Sequence, residues 1–486
     1  MLKNDNSLYA AFKAKDARFD GRFFVGVSST RIYCRPICKA KRAKIENCLF
    51  FPTAAEAEQN GYRPCLMCRP ELAPGSSMTD AGTDLVYRAA RMIEKNCGNR
   101  QSLNELAENL GCTDRHLRRV FAAEYNVSPV QYLQTCRLLL AKNLLTDTDL
   151  PVSKVAVAAG FGSLRRFNDL FRTQYDLSPT ALRDQGMEPG KHNGNVTLAL
   201  GYRPPYRWKE VLEFLDGRAI AGVEVVRDNE YMRTVRLLTA ELKPVYGWVR
   251  VGHGREKHTL TVTVSESLLP VLPQVLARVR HMFDLYCDPD AVYEVLSKMN
   301  DIRPGLCVPG TRLPGSFNAF EMAVRAVLGQ QVTVKAASIL AARITAIYGK
   351  PVRTGIDGLT HVFPSPEDLL SLEGPIENHF GVLGVIATRS KTIHELAKAF
   401  VRREVNFDLN AQPEEEIKKL MAIKGIGSWT AQYIAMRAME WPDAFLETDA
   451  GIKKALYPHT PMELLEMAEE WRPFRSYATI NLWNAV

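Results

Sequence analysis

The sequence predicts a multidomain α+β protein assembled from four unlike parts, and three observations support this prediction. The chain has 486 residues, which at roughly 100–200 residues per domain is too long for one hydrophobic core. Two small, polar stretches, residues 73–83 and 184–195, have the composition of linkers. The residue pattern also changes along the chain, from a basic, cysteine-rich part to helices, then to strands, and then to helices again.

The overall composition excludes several classes of protein. With 46% hydrophobic and 24% charged residues, the chain has the make-up of a folded globular protein and not of a disordered one. No apolar stretch reaches the ~20 residues that span a bilayer, and the N-terminus has no apolar signal core. We therefore expect a cytoplasmic protein without a membrane partner. In that reducing compartment, clustered cysteines are expected to bind metal or to react.

Positive charge is concentrated near the N-terminus. The net charge is +8, and residues 1–75 alone contribute +6, from 13 basic and 7 acidic side chains. This excess suggests a polyanion such as nucleic acid as the partner of the first part, although an ordinary basic surface would give the same count.

The strongest local motif is a pair of cysteine pairs. Cys34 and Cys38 are separated by three residues, and Cys65 and Cys68 by two. Two close pairs on separate turns are what a tetrahedral four-thiolate zinc site requires, so one bound Zn²⁺ is predicted. By spacing alone the zinc is structural. Cys48 lies outside the pairing and is interpreted as a core thiol.

The segments around these cysteines resemble the N-terminal zinc domain of the Ada family of adaptive-response proteins. They are RIYCRPIC at 31–38, ENCLFF at 46–51 and GYRPCLMCRPE at 61–71. The resemblance implies that Cys34 irreversibly accepts a methyl group from a methylphosphotriester in DNA, and that the zinc both shapes and activates the site. Methylation would change the site charge from −2 to −1, so we expect DNA affinity to rise. Seven nearby basic residues are candidates for phosphate contacts: Arg35, Lys39, Lys41, Arg42, Lys44, Arg63 and Arg69.

The second part contains an internal repeat. Ala107 and Gly111 recur as Ala156 and Gly160. Further matches, 50 residues apart, are Phe121 with Phe171, Tyr125 with Tyr175, and Ser128-Pro129 with Ser178-Pro179. Each copy has the pattern of helix, glycine-containing turn and helix, and the stretch 129–145 predicts a helix that joins them.

The second helix of each copy carries basic and polar side chains on the face opposite to its apolar residues. These candidate DNA-contacting residues are Arg115, His116, Arg118, Arg119, Arg165, Arg166 and Asn168. A solvated face of a small helical bundle would look similar. The duplicated unit resembles the AraC-type DNA-binding domain over residues 84–183, and this resemblance implies transcriptional activation with two units in successive major grooves.

The third part begins with strand signals at 196–202, 221–226 and 259–267, and helical spacing dominates after about residue 290. Gly425 and Gly427 form a Gly-x-Gly turn between two apolar helices, where backbone N–H groups can converge on a phosphate. A plain helix–helix turn is the alternative. Asp449 follows 22 residues after Gly427, and a lone aspartate at such a place is ordinarily a helix cap.

This arrangement resembles the helix-hairpin-helix DNA glycosylases, and among them the AlkA type. Further matching segments are RPPYRW at 203–208, FDLYCDP at 283–289, RPGLCVPG at 303–310, AFEMAVRAVLGQQV at 319–332 and EEWRPFRSYA at 469–478. The resemblance implies hydrolysis of the N-glycosidic bond of an alkylated base such as 3-methyladenine, without a cofactor. Asp449 would stabilise the positive charge that develops on the sugar and would orient or activate water.

The same resemblance assigns further residues of this site. A methylated base would stack in an aromatic pocket formed by Phe214, Trp429, Tyr433 and Trp483, although each ring could equally be a core residue. Gln331 would fill the gap left when the base leaves the helix. Trp429 stands where bifunctional relatives carry a nucleophilic lysine, so a monofunctional enzyme is expected. Thr448 and Ala450 depart from the family pattern and predict a wider pocket.

The sequence therefore predicts a methylation-sensing activator fused to an alkylbase glycosylase. The expected parts are a zinc domain at 1–75, a double helix-turn-helix domain at 84–183, an α/β subdomain at 196–288 and a helix-hairpin-helix domain at 289–486. The expected partners are double-stranded DNA, at damaged sites and promoters, and RNA polymerase, with the protein acting as a monomer. The alternative is a DNA-binding regulator whose glycosylase portion is inactive.

Overall fold

The computed structural model describes residues 5–79, 84–99, 102–184, 194–254 and 257–486. Parts of both predicted linkers, residues 80–83 and 185–193, lie outside the described ranges. Within the described ranges the protein has mixed α and β structure, in the predicted order of a small cysteine-rich part, a helical part, a sheet and a second helical part.

The cysteine-rich part is a four-stranded sheet flanked by two helices. Its elements are α1 (Asp5–Ala14), β1 (Phe24–Val27), β2 (Ile32–Cys34), β3 (Cys48–Phe51), α2 (Ala54–Gln59) and β4 (Arg63–Pro64). The strand order is β3-β1-β2-β4, and only the β2–β4 pair is parallel. Because Tyr33 pairs with Pro64 in that parallel ladder, the carboxyl ends of both strands lie side by side. This pairing brings Cys34 next to Cys65.

The helical part contains both predicted repeats. Its helices are α3 (Asp84–Asn96), α4 (Leu103–Asn109), α5 (Asp114–Tyr125), α6 (Pro129–Asp147), α7 (Val152–Ala158), α8 (Leu164–Tyr175) and α9 (Pro179–Asp184). The helix pairs α4–α5 and α7–α8 are the two copies, and α6 joins them as predicted. Gly111 and Gly160 take the left-handed φ values of +70° and +86° between the paired helices. Glycine has no Cβ and adopts this conformation without strain.

Equivalent caps explain why the repeat is visible in the sequence. Thr113 and Ser163 each accept a hydrogen bond from the backbone three residues later and so start α5 and α8. Asn126 and Asp176 are left-handed at the ends of these helices. Asparagine and aspartate tolerate that conformation better than other side chains. Ser128 then caps α6. Local chemistry therefore fixes both units in the same way.

The sheet of the third part has five antiparallel strands in the order β5-β9-β8-β7-β6. Its elements are β5 (Asn195–Gly201), α10 (Trp208–Asp216), β6 (Glu224–Arg227), β7 (Glu230–Leu238), β8 (Pro244–His253), β9 (Thr259–Ser265) and α11 (Leu272–Met282). The three strand signals correspond to β5, β6 and β9, with β6 displaced toward the C-terminus. The sequence pattern did not single out β7 and β8. In β7 both Arg233 and Thr234 are buried, which removes the alternation of polar and apolar residues.

The last part is almost wholly helical, as predicted. Its elements are α12 (Pro289–Leu296), α13 (Met299–Ile302), α14 (Ala319–Leu328), α15 (Val334–Tyr348), β10 (Lys350–Pro351), β11 (His361–Val362), α16 (Pro366–Leu370), α17 (Ile376–Gly381), α18 (Ala387–Val401), α19 (Pro413–Ala422), α20 (Ser428–Ala438), α21 (Ala450–Ala455), α22 (Pro461–Ala468) and α23 (Arg475–Asn484). Among the described residues, no helix is both long enough and apolar enough to cross a bilayer.

Ion pairs and hydrogen bonds join the parts to one another. Arg91 of α3 donates to both carboxylate oxygens of Glu440, at 2.9 and 2.8 Å, directly after α20. Burial raises the pKa of Glu440, but the charges of Arg91 and His281 outweigh it and hold that pKa well below its usual range. Arg203, which is buried, donates to the backbone carbonyl of Asp20 at 3.2 Å. The helical part and the cysteine-rich part are thus both fastened to the C-terminal half.

A buried carboxylate lies at the junction of the cysteine-rich part with the joining helix α6 and the second repeat. Oε1 of Glu58, in α2, accepts hydrogen bonds from the hydroxyls of Tyr33 (3.0 Å) and Tyr175 (3.2 Å), and Oε2 accepts one from Thr135 (2.8 Å). Burial raises the pKa of Glu58 to about 7, and the three hydroxyls oppose that rise. The residue before Cys34 is therefore tied through one side chain to α6 and α8.

Glu58 should make the stability of the protein depend on pH. The pKa of Glu58 in the folded protein lies above its unfolded value of about 4.3. The protonated carboxyl therefore stabilises the fold fully below about pH 4.3, and this stabilisation is lost as the pH rises to about 7. Glu58→Gln removes this titration. Its free energy of unfolding should rise relative to wild type by about 2–3 kcal/mol between pH 5 and pH 8, as measured by urea denaturation. Glu46→Gln, at an exposed site, is the control. A difference between Glu58→Gln and wild type that stays constant with pH would contradict this assignment.

Candidate functional sites

Four cysteines meet at the carboxyl ends of β2 and β4. The sulfur atoms of Cys34, Cys38, Cys65 and Cys68 all lie within 4.8 Å of one another, and only Cys68 is more than slightly exposed. Zinc–thiolate bonds of about 2.3 Å in a tetrahedron place sulfurs about 3.8 Å apart, so the cluster fits a zinc ion. The structure thus brings together all four predicted ligands. Cys48 is buried away from them, and its thiol donates to the carbonyl of Lys44 at 3.3 Å.

The seven basic residues around this centre differ in their partners and in their exposure to solvent. Arg35 is buried and pairs with Asp20, while Arg69 pairs with Glu71 and Asp147. Arg35 thus stabilises the cysteine-rich part and Arg69 ties it to α6, so neither is available for DNA phosphates and the expectation was wrong for them. A third, Arg42, packs over the ring of Phe12 at 4.3 Å. Of the remaining candidates, Arg63 is half-buried, and the fully exposed ones are Lys39, Lys41 and Lys44.

Both helix-turn-helix units present their second helix to solvent. The apolar residues Leu117, Phe121, Phe167 and Phe171 are buried, as the spacing predicted. On the opposite faces, Arg115, His116, Arg118, Arg119, Arg165 and Arg166 are exposed and Asn168 is half-buried. Arg118 pairs with Asp114 at 2.9 Å on its own helix. These faces are available to a DNA groove.

Asp449 is the N-cap of α21, and its carboxylate accepts four hydrogen bonds. Oδ1 accepts from the backbone N–H groups of Gly451 (2.8 Å) and Ile452 (3.2 Å). The indole Nε1 of Trp483 also donates to Oδ1, at 2.8 Å, and that of Trp429 donates to Oδ2, at 3.1 Å. The aspartate is therefore both the helix cap that its sequence position favoured and a carboxylate aimed at two aromatic side chains. Oδ2 has one donor where Oδ1 has three.

Two of the four predicted aromatic residues contact that carboxylate, and the other two stack on them. The rings of Trp429 and Tyr433 are stacked with centroids 5.2 Å apart, and those of Phe214 and Trp483 are stacked at 6.2 Å. Tyr433 meets Trp483 edge-on at 6.2 Å. Phe214 comes from α10 of the sheet-containing part, whereas the others come from α20 and α23. Neighbouring Thr448 and Ala450 are exposed.

The glycine hairpin lies between α19 and α20, close to a second loop. Gly425 has a φ of +96°, and a Cβ there would lie 2.1 Å from Oγ1 of Thr392, so the position requires glycine. Gln331, in the loop between α14 and α15, is exposed and left-handed with a φ of +53°. Its neighbour Gln330 donates to the carbonyl of Gly425 (2.8 Å) and to the hydroxyl of Thr430 (3.0 Å). The loop of the predicted wedge is thus attached to the hairpin.

Three families match successive parts of the chain. They are the metal-binding domain of Ada at residues 7–71, a helix-turn-helix domain at 106–185, and the AlkA N-terminal domain at 197–318. The match to the last of these runs past residue 288, where the sequence analysis placed the end of that part. The predicted fusion of an Ada-type regulator with an AlkA-type glycosylase is confirmed.

One relative matches over nearly its whole length. "Probable bifunctional transcriptional activator/DNA repair enzyme AlkA" of Mycobacterium tuberculosis is 37% identical over 98% of this chain and 96% of its own. The chain belongs to this family of bifunctional transcriptional activator/DNA repair enzymes. "DNA-3-methyladenine glycosylase 2" of Escherichia coli is 35% identical over 58% of this chain and 95% of its own. "Bifunctional transcriptional activator/DNA repair enzyme AdaA" of Bacillus subtilis is 30% identical over 37% of this chain and 83% of its own.

Two arginines that contact the aromatic side chains were missed in the sequence analysis. Arg218 packs on the ring of Phe214, and Arg437 donates to the hydroxyl of Tyr433 at 2.9 Å. Arg437 is four residues after Tyr433 on α20, a helical spacing that could have indicated this contact, whereas Arg218 lies beyond the end of α10. The rings assigned to a cationic base therefore already have cations beside them.

Proposed function

We propose that this protein excises alkylated bases, including 3-methyladenine, from duplex DNA at Asp449. The observation that carries the proposal is the carboxylate of Asp449, held by the indoles of Trp429 and Trp483 at the edge of an aromatic pocket. The glycosylase named among the relatives supports the choice of substrate. No added cofactor is needed for this step in the proposed reaction.

The proposed reaction breaks the C1′–N bond of an extruded nucleotide. The electron pair leaves with the base, and positive charge develops on the deoxyribose. Asp449 stabilises that charge because its four donors fix the carboxylate before the reaction begins. Oδ2 carries the fewer hydrogen bonds and is the oxygen that orients the attacking water and takes up its proton.

In the proposed encounter with DNA, the hairpin and Gln331 act together. The N–H groups around Gly425 and Gly427 bind a phosphate at the start of α20. The side chain of Gln331 fills the space that the extruded base leaves. This role of Gln331 is supported by its exposed, left-handed position in the loop. Two hydrogen bonds from Gln330 attach the same loop to the hairpin.

The wild-type enzyme is expected to release free 3-methyladenine and to leave the abasic strand uncut. Trp429 cannot form a Schiff base, so treatment with borohydride during turnover should trap no covalent protein–DNA adduct. The measurement is chromatography of the released base together with gel analysis of the strand. A borohydride-stable adduct would contradict a monofunctional hydrolase.

We further propose that Cys34 is the methyl acceptor of the zinc site. Zinc supplies a charge that keeps the four sulfurs as thiolates, the nucleophilic form. A backbone N–H donates to the sulfur of Cys68 at 3.3 Å and to that of Cys38 at 3.5 Å, whereas within the described ranges no such bond reaches Cys34. A thiolate without this hydrogen bond is the better nucleophile. Its sulfur forms a bond to the methyl carbon, and the C–O bond electrons return to the phosphate.

The activator role extends this proposal to partners. DNA is the partner of both halves. The exposed arginines of α5 and α8 would bind successive major grooves of a promoter. Methylation of Cys34 reduces the negative charge of the zinc site and so strengthens that complex. RNA polymerase is the proposed target of the bound activator, and the protein acts as a monomer.

A further inference from the structure

A guanidinium group lies against one wall of the aromatic pocket. The Cζ atom of Arg218 is 3.7 Å from the ring centroid of Phe214 and 5.7 Å from that of Trp483. Its Nη1 donates to the carbonyl of Phe214 at 3.2 Å. Arg218 is half-buried, so its charge is only partly screened by solvent. One face of the pocket is therefore already in contact with a cation.

The charge of Arg218 is not neutralised by a neighbouring carboxylate. Within the described part of the chain no ion pair includes its guanidinium. The nearby carboxylates of Glu224 and Glu321 pair with Arg325, at 3.0 and 3.4 Å. Arg325 also donates to the backbone carbonyl of Arg218 and so holds the start of this loop in place.

A second arginine strengthens the positive field. Arg437 is buried, its Cζ is 4.7 Å from the centroid of Phe214, and it donates to the hydroxyl of Tyr433 at 2.9 Å. Its other hydrogen bonds go to neutral backbone carbonyls. Burial raises the pKa of Tyr433, but Arg437, Arg218 and Arg325 outweigh it and lower that pKa below its usual value. The three arginines thus act together on the hydroxyl of Tyr433.

We propose that Arg218 is a specificity-determining residue that shifts the enzyme toward lesions whose base is uncharged. This inference rests on the proposed glycosylase function. A cationic base such as 7-methylguanine departs as a neutral molecule and gains nothing from a nearby cation. A neutral base such as hypoxanthine departs with the electron pair as an anion and later takes a proton from water. A guanidinium beside the ring stabilises that developing negative charge.

Arg218 therefore reduces the difference in reaction rate between cationic and neutral lesions. Cationic lesions have an activated leaving group and react without tight binding in the pocket. Neutral lesions lack that activation, and the field of Arg218 supplies part of it. A pocket of rings alone would bind cationic bases by cation–π attraction and would discriminate strongly against neutral ones.

The test compares two substrates with four full-length proteins. Single-turnover rates are measured for hypoxanthine in a synthetic duplex and for 7-methylguanine in methylated DNA, with wild type, Arg218→Gln, Arg218→Lys and Lys209→Gln. Lys209 is an exposed cation on α10, the helix that precedes Arg218, and serves as the matched control. The ratio of the hypoxanthine rate to the 7-methylguanine rate should fall at least tenfold in Arg218→Gln. It should stay within threefold of wild type in the other two variants.

Retained release of 7-methylguanine by Arg218→Gln would show that its pocket is folded. An unchanged ratio in that variant, or an equal fall in Arg218→Lys, would overturn a role for the charge. Release of 7-methylguanine without any hypoxanthine by wild type would also overturn it. Failure of wild type to release 3-methyladenine as well as these two bases would instead refute the proposed glycosylase function.

Discussion

Asp449→Asn is expected to slow base release by roughly 10²–10³-fold, the size of effect seen when one transition-state-stabilising group is removed. The amide keeps the shape of the side chain and can still accept hydrogen bonds from Gly451 and Ile452. Asparagine is as good an N-cap as aspartate, so α21 should remain folded. What is lost is the negative charge beside the sugar. The measurement is single-turnover release of 3-methyladenine from a methylated duplex.

The control for this variant is Glu447→Gln, which removes a carboxylate two residues earlier and should keep the rate within about threefold of wild type. Undiminished turnover in Asp449→Asn would remove the aspartate from the mechanism. If neither wild type nor Asp449→Asn releases 3-methyladenine, the alternative of a DNA-binding regulator with an inactive glycosylase portion is correct.

Cys34→Ser is expected to abolish methyl uptake from methylphosphotriester DNA. A serine hydroxyl is far less acidic than a thiol and is not a nucleophile at neutral pH. Wild type should take up one methyl group per chain and then stop, because the thioether product is not reversed. The measurement is transfer of labelled methyl from alkylated duplex to protein. Cys48→Ser is the matched control, since it removes a buried thiol outside the centre.

Loss of zinc from Cys34→Ser could also end the reaction, so a second measurement on wild type is needed. Mass spectrometry of peptides from the methylated protein should find the added group on Cys34. A methyl group on Cys38, Cys65 or Cys68 would contradict the assignment, whatever the serine variant does.

The parts of the fold that were predicted from sequence depend on local chemistry. The two cysteine pairs are each within a few residues, and the repeat is fixed by caps such as Ser128 and Asn126. What could not be predicted depends on distant partners. Arg233 is buried in β7 because Glu321, 88 residues later, pairs with it at 2.6 Å. A charged residue without a visible partner does not indicate a buried strand.

In the candidate sites too, local motifs were predicted from the sequence and contacts with distant residues were not. The glycine hairpin and the spacing after it located Asp449, whereas only the family resemblance connected it with the aromatic residues, of which Phe214 lies more than 200 residues away. Charge counting assigned Arg35 to DNA, but Asp20 holds it inside the domain. Arg218 carried no motif, and its position over Phe214 follows from the path of the chain after α10.

The regulator and glycosylase parts belong to one polypeptide, and the contacts of Arg91 with Glu440 and of Arg203 with Asp20 hold them against each other. The regulator part and the glycosylase part are therefore synthesised in a fixed one-to-one ratio, whatever the strength of the promoter. When a cell divides after the damage has been cleared, dilution lowers both together. The amount of the regulator part therefore always matches the amount of the glycosylase part, without a separate means of control.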